Sequence, residues 1–255
     1  MKAKFKSSIR VARHSFGAVV CAGGVLLIFS GAQAQNLFAT ADNSIYECTT
    51  GGVQSTFASG LSLPEGLAFN SAGDLFEADL GSGNIYEFTP GGAQSTFASG
   101  LLKTFGLAVN SAGDLFADDN NGNVYEFTPG GVKSSFASGL HNPAGLAFNS
   151  AGDLFEADYG SGNIYEFTPG GAKSTFKSGL VVDDPDGLAF NSAGDLFMAA
   201  QHSGHIYEFT PGGVQSTFAS GLVYPIGLAF QPVPEPSALG LLAVGAAALL
   251  VHRRR

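Results

Sequence analysis

Few side chains of this 255-residue sequence stand at spacings that could support chemistry. His202 and His205 could offer two imidazole ligands to a metal ion, but no third ligand is indicated beside them, and a solvated turn is the simpler interpretation. Residues 118–123 read Asp-Asp-Asn-Asn-Gly-Asn, which is rich in oxygen ligands for Ca²⁺ but lacks the late glutamate of an EF-hand and also fits a hairpin turn. The serines form no Gly-x-Ser-x-Gly elbow with a partner histidine. These residues predict no complete catalytic set.

The elements that carry these residues repeat along the chain. The phrase Gly-Leu-Ala-Phe-Asn returns at spacings of 39 to 42 residues, and Asp-Leu-Phe, Ile-Tyr-Glu-Phe and Ser-Thr-Phe-Ala-Ser follow it in that order. Each phrase is short and rich in Phe, Tyr, Ile and Thr, which predicts a strand. Between them, Asn-Ser-Ala-Gly-Asp predicts a hairpin loop, and Thr-Pro-Gly-Gly predicts a type II turn with its first glycine at positive φ. With small variations, the first phrase begins at Gly66, Gly106, Gly145, Gly187 and Gly227.

Four antiparallel strands in about 40 residues are typical of a β-propeller blade. The repeats begin near residue 36 with the second phrase and end with a lone first phrase at 227–230. The sequence therefore predicts an all-β fold over residues 36–230, a five-bladed propeller of four-stranded blades. One C-terminal strand would join three N-terminal strands in the closing blade. An open solenoid or a ring padded to six blades are the alternatives.

The link into each innermost strand differs from blade to blade, whereas the strands hardly change. All these links fall on one face of a propeller, around its channel, and blade-specific side chains there could form a single asymmetric site. We therefore predict that any ligand binds on this face. The candidate residues are Phe105, Ala144, Asp183, Asp184, Tyr224 and Ile226.

Charge is distributed unevenly along the sequence. The formal net charge is −9, but the body from 36 to 230 holds 4 basic and 20 acidic residues, and 4 − 20 gives −16. Such an acidic body argues against a nucleic-acid-binding protein, which normally presents a basic face. Of the two cysteines, Cys21 precedes the body, and Cys48 would remain alone after processing and form no internal disulfide.

The N-terminus has the features of a secretory signal peptide spanning residues 1–34. A basic stretch precedes an apolar run from Val19 to Phe29, and the small residues Ala32 and Ala34 predict cleavage after Ala34. A permanent membrane anchor is the alternative.

The C-terminus, residues 231–255, resembles the PEP-CTERM sorting signal of Gram-negative bacteria. It contains Val233-Pro234-Glu235-Pro236, then an apolar segment from Ala238 to Val251 that predicts a helix, then Arg253, Arg254 and Arg255. The resemblance implies transient insertion in the inner membrane and processing by an exosortase. Release to the cell surface or the extracellular matrix would follow. An ordinary tail anchor is the alternative.

The repeat Gly-Leu-Ala-Phe-Asn-x-Ala-Gly-Asp-Leu-Phe-x-Ala-Asp, followed by Asn-Ile-Tyr-Glu-Phe, resembles NHL and SMP-30 (gluconolactonase)-type propellers. The resemblance implies a divalent cation such as Ca²⁺ at the channel mouth, with ligands just before the glycine that opens the innermost strand. At these positions only Glu65 and Asp186 could bind a metal ion, because the others are Phe105, Ala144 and Ile226. The interpretation of both acids as ordinary exposed turn residues is favoured over a metal site.

Together these features predict an exported, surface-sorted propeller that is a non-catalytic binding or matrix-associated module without a cofactor. Its partner would be an exopolysaccharide or a surface protein. A metal-dependent, lactonase-like hydrolase is the alternative.

Overall fold

The computed structural model describes residues 37–41, 43–48, 54–101, 103–181, 183–191, 193–221, 225–226 and 228. Every regular element in these residues is a strand. Within these ranges no helix has the length and apolar character needed to cross a membrane. The predicted helices of the signal peptide and of the sorting tail lie outside the described residues.

Four sheets each contain four strands in sequence order, and every neighbouring pair is antiparallel. This is the blade that the repeat predicts. The first blade contains β4 (Pro64–Phe69), β5 (Leu75–Asp79), β6 (Asn84–Phe88) and β7 (Gln94–Ala98); the second β8 (Leu107–Val109), β9 (Leu115–Asp119), β10 (Asn123–Phe127) and β11 (Lys133–Ser138); the third β12 (Pro143–Phe148), β13 (Leu154–Asp158), β14 (Asn163–Phe167) and β15 (Lys173–Lys177); and the fourth β16 (Pro185–Phe190), β17 (Leu196–Ala200), β18 (His205–Phe209) and β19 (Gln215–Ala219).

The prediction of five four-stranded blades is wrong: the residues that the structure describes form four such blades. The N-terminal strands β1 (Leu37–Ala41), β2 (Ser44–Cys48) and β3 (Gln54–Ser59) form a separate three-stranded sheet. Of the phrase expected to close a fifth blade, Leu228 is described, and it lies in no strand. The physical reason is that almost the whole chain separates this last phrase from the N-terminal strands, whereas a five-residue Asn-Ser-Ala-Gly-Asp loop joins the first two strands of each other blade. Pairing it would require distant chain segments to meet, with the associated loss of chain entropy.

The hairpin loops between the first two strands of each blade form as predicted. In the first blade Asn70 Oδ1 accepts hydrogen bonds from Ala72 N (3.0 Å) and Asp74 N (2.8 Å), and Gly73 has a φ of 88°. The Thr-Pro-Gly-Gly turn differs from the prediction, because the positive φ of 81° belongs to Gly92 and not to Gly91. The pattern fits a type I turn followed by glycine at i+3.

The core lies between the blades. Successive strand residues point to opposite faces, so Leu75 packs toward the three-stranded sheet while Phe76 packs toward the second blade. Each seam between neighbouring four-stranded blades is filled in the same way by buried Ala, Leu, Ile and Phe side chains.

The innermost strands approach closely around the axis because those of the first three blades have a glycine near their start, Gly66, Gly106 and Gly145. A Cβ atom added to Gly66 would clash with the carbonyl oxygen of Phe105 in the second blade, and one added to Gly145 would clash with that of Asp186 in the fourth. This contact brings the residues before the glycines together at the channel.

Candidate functional site

Four link residues adopt the left-handed backbone conformation at the same place in each blade. Leu63, Lys103, Asn142 and Asp184 have φ values of 59°, 55°, 55° and 50°. This conformation normally favours glycine, and asparagine and aspartate tolerate it better than leucine or lysine. We call the surface formed by these four residues the link face. It displays an apolar, a cationic, an amide and an acidic side chain at equivalent positions.

The link face is held rigidly by the hairpin that joins the second and third strands of each blade. The carbonyl oxygen of Leu63 accepts a hydrogen bond from Leu80 N (3.1 Å), and that of Lys103 accepts one from Asn120 N (3.2 Å). Asn142 and Asp184 make the equivalent bonds with Tyr159 N and Gln201 N, both at 3.2 Å.

In the first and third blades, a buried aspartate at the end of the second strand also holds the link against the hairpin. Asp79 accepts hydrogen bonds from Ser62 N (2.6 Å) in the link and Ser82 N (2.9 Å) in the hairpin. Asp158 does the same with His141 N (2.7 Å) and Ser161 N (3.0 Å). These carboxylates have a structural role, which the recurring Ala-Asp at the end of the second strand could have indicated.

The second blade uses two neighbouring aspartates. Asp118 is fully buried and accepts hydrogen bonds from Phe105 N and Gly106 N, each at 2.9 Å. Asp119 Oδ1 accepts from Asn121 N and Asn123 N, each at 3.0 Å. The oxygen-rich segment that resembled a calcium loop is thus a hairpin turn whose carboxylates bind the chain's own amides.

The fourth blade departs from the pattern. Ala200 stands where the other blades have the buried aspartate, and its link is two residues longer. Asp183 Oδ1 accepts a hydrogen bond from Tyr207 Oη (3.1 Å), while Asp184 lies 3.9 Å from His202 Nδ1. His205 instead stacks on Tyr207, with ring centroids 5.5 Å apart. The two histidines therefore face different partners.

Glu65 and Asp186 lie close enough at the channel for their charges to interact. Asp186 is 8% exposed, and burial, followed by the charges of Glu65 and Asp184, raises its pKa to about 7. Burial also raises the pKa of Glu65. Because two neighbouring carboxylates repel each other, Glu65 and Asp186 together favour the binding of a proton or a cation.

The other positions just before the glycines contribute no ionisable side chain. Phe105 and Ala144 are half-buried, and Ile226 is 40% exposed, with its carbonyl oxygen accepting a hydrogen bond from Gly187 N (2.9 Å). Tyr224, the signal-cleavage residues and the sorting residues lie outside the described residues. Among the described ranges, no three His, Cys, Asp or Glu side chains are grouped so as to hold a metal ion.

Two glutamates inside the blades are unexpected. Glu77 and Glu156 occupy the same position of the second strand in the first and third blades, and both are fully buried. Neither carboxyl has a hydrogen-bond partner among the described residues. Burial, followed by the charges of Asp79 and Glu65, raises the pKa of Glu77 to about 8. The sequence signal is a glutamate at a position that is Ala117 or Met198 in the other blades.

Known proteins resemble this chain in fold and at its C-terminus. A family model described as the PEP-CTERM protein-sorting motif matches residues 232–255. No curated protein matches the sequence.

Solved structures with similar folds include virginiamycin B lyase from Staphylococcus aureus, with a TM-score of 0.59 and 18% identity over 74% of this chain and 68% of that one. A nidogen/laminin complex has a TM-score of 0.66 and 20% identity over 75% and 80% of the two chains. A gluconolactonase from Xanthomonas campestris has a TM-score of 0.65 and 16% identity over 74% and 72%. Identities this low show the fold alone. The chain is an all-β propeller with a PEP-CTERM sorting motif, and this motif indicates an exported protein that is processed by an exosortase and sorted at the cell envelope.

Proposed function

We propose that the protein is a non-catalytic binding module of the cell surface or extracellular matrix, and that it binds its ligand on the link face. The observation that carries this proposal is the set of four different side chains, Leu63, Lys103, Asn142 and Asp184, held in the same left-handed conformation. A left-handed non-glycine residue costs about 1–3 kcal/mol when the conformation is strained. Glycine would avoid this cost, so the retained side chains favour a role in recognition.

The rigidity of these links supports the same proposal. Hydrogen bonds to the hairpins fix the link backbone in every four-stranded blade. A preorganised surface loses little conformational entropy when a ligand binds. The buried acids Asp79, Asp118 and Asp158 are engaged by backbone amides, which favours binding over a hydrolytic site built from them.

The ligand class follows from charge. The formal charge of the body, 4 − 20 = −16, disfavours anionic polymers. We infer that the ligand is an uncharged extracellular polysaccharide. The sorting tail would hold the chain transiently in the inner membrane before release. Fractionation of cells that produce the chain without residues 233–255 tests this step, and unchanged envelope retention would contradict it.

A binding assay with paired variants tests the link face. We expect the purified protein to bind dextran or cellulose but not alginate, an anionic control. Leu63→Ser combined with Lys103→Ser should weaken binding about tenfold, which corresponds to about 1.4 kcal/mol. The matched control is Val132→Ser with Val214→Ser, since both valines are 68% exposed on turns at the opposite ends of the strands. Equal losses in the two double variants would contradict the proposal.

A metal-dependent, lactonase-like hydrolase is the second candidate function. The observation that favours it is the pair of crowded acids at the channel, Glu65 and Asp186. These carboxylates could provide two oxygen ligands for Ca²⁺. Hydrolysis of a sugar lactone that EDTA abolishes, Ca²⁺ restores and Glu65→Gln removes would support this function instead of the first.

A further inference from the structure

Glu156 enters the seam between the second and third blades. It lies two residues after Leu154 on β13, so both side chains point to the same face of the strand. That face packs on an apolar cluster that includes Phe116 and Leu146. The glutamate is 0% exposed, and neither of its carboxyl oxygens has a hydrogen-bond partner among the described residues. A buried carboxylate without a partner is strongly destabilising, whereas the protonated acid is less so.

The charged groups near Glu156 do not compensate for this burial. Asp158 on its own strand and Asp118 across the seam on β9 both disfavour ionisation, whereas Lys173 on β15 favours it. Tyr165 is its register partner on β14. The pKa of Glu156 is raised well above its ordinary value, and burial is the largest cause of this increase.

Asp118 connects the seam to the link face. Its carboxylate accepts hydrogen bonds from Phe105 N and Gly106 N, which follow Lys103 in the link. A negative charge on Glu156 would repel the carboxyl of Asp118 and draw water into the seam. Both effects weaken the contact that fixes this link.

We propose that Glu156 is a proton-dependent lock: the seam between the second and third blades is closed while its carboxyl is protonated, and ionisation loosens both the seam and the link at Lys103–Gly106. An increase in pH would thereby release the ligand from the link face. This last step rests on the proposed function, whereas the lock itself can be measured without a ligand.

Hydrogen exchange of the full chain tests the lock. The readout is the protection of backbone amides in residues 103–109, corrected for the intrinsic pH dependence of exchange, between pH 6 and 9. Where opening of the seam releases one proton, protection should fall by up to about tenfold per pH unit. In Glu156→Gln, which keeps the shape but cannot ionise, we expect a smaller fall in protection; the fall that remains comes from Asp118, whose pKa is also raised by burial.

The matched control is Glu77→Gln, the same change at the equivalent position of the first blade. It should leave the pH-dependent fall at residues 103–109 as in the unmodified protein. A fall of the same size in Glu156→Gln, or its loss in Glu77→Gln, would overturn the proposal. If Glu156→Gln does not fold, Glu156→Met is used, because the fourth blade carries Met198 at this position, fully buried. It should give the same reduced fall in protection.

Dextran binding, measured in parallel, separates the two proposals. Absence of binding together with a pH-dependent seam would contradict the proposed function but leave the lock intact. Binding with a pH-independent seam would contradict the lock alone.

Discussion

A glycine near the start of the innermost strand is required in the first three blades, because the strand touches its neighbours there. A Cβ atom on Gly106 would clash with Asp118 Oδ2 and lie 3.0 Å from Leu146 N of the next blade. Such contacts are too short for a methyl group. The glycine therefore serves both the packing of the inner strands and the hydrogen bond that holds the link of the second blade.

We predict that Gly106→Ala destabilises the protein by about 2–3 kcal/mol, because the backbone of Leu146 cannot move without disturbing the third blade. Chemical unfolding in urea measures this change. Gly130→Ala in the same blade is the control, since its added Cβ would lie 3.9 Å from Thr128 Oγ1, an ordinary contact. If both variants unfold at the same urea concentration, the close approach of the strands at Gly106 does not determine the stability, and the prediction is wrong.

At the residue scale, the sequence could indicate which side chains gather but not what they do. The spacing before the glycines placed Glu65 and Asp186 at one mouth, and the structure brings them near each other. The roles of Asp118 and Glu156 could not be predicted. Strand alternation shows to which face a side chain points. It does not show whether a distant segment of the chain offers a hydrogen-bond donor there, as it does for Asp118 but not for Glu156.

At the scale of elements, phenylalanines on the outermost strands join neighbouring blades. Phe97 on β7 packs edge-to-face on Phe76 of its own blade, with centroids 5.0 Å apart, and on Phe127 of the next blade, at 6.0 Å. Phe136 and Phe176 repeat this arrangement. The outer strands β7, β11 and β15 are thus each held by rings of two neighbouring blades.

Phe97→Ala should therefore destabilise the protein by about 2–3 kcal/mol, less than the usual effect of removing a phenylalanine from a core, because Phe97 is half-buried. Phe218, its equivalent on β19, contacts Phe197 at 5.0 Å but is 61% exposed. We expect Phe218→Ala to lower the unfolding free energy by about 1 kcal/mol, since less apolar area is lost. Thermal and urea unfolding of both variants provide the measurement, and equal losses would contradict this account.

The strands and loops were predictable because each repeat specifies them locally, through Phe- and Tyr-rich phrases and loops such as Asn70–Asp74. The number of blades was not. A fifth blade would have required the segment 227–230 to pair with N-terminal strands, and no local signal in the sequence determines such a distant contact. The prediction of a type II turn was also wrong, because the sequence Thr-Pro-Gly-Gly is compatible with both type I and type II turns.

At the scale of the whole molecule, the buried acids set the pH dependence of stability. The pKa values of Glu65, Glu77, Asp118, Glu156 and Asp186 are all raised, with burial as the first cause. The folded state therefore holds protons that the unfolded chain has released. The contribution of these groups to stability is fully present below their ordinary pKa values near 4 and is lost as pH rises through the raised ones, which reach about 8 for Glu77.

We predict that the free energy of unfolding decreases from pH 5.5 to pH 8, by up to about 1.4 kcal/mol per pH unit for each such group. Urea unfolding at the two pH values measures the decrease. Glu77→Gln should reduce the slope, because the amide has no proton to lose, and should stabilise the protein at pH 8 more than at pH 5.5. Stability that instead rises over this range would mean that these carboxyls are ionised in the folded protein, held by a cation or by water within the seams.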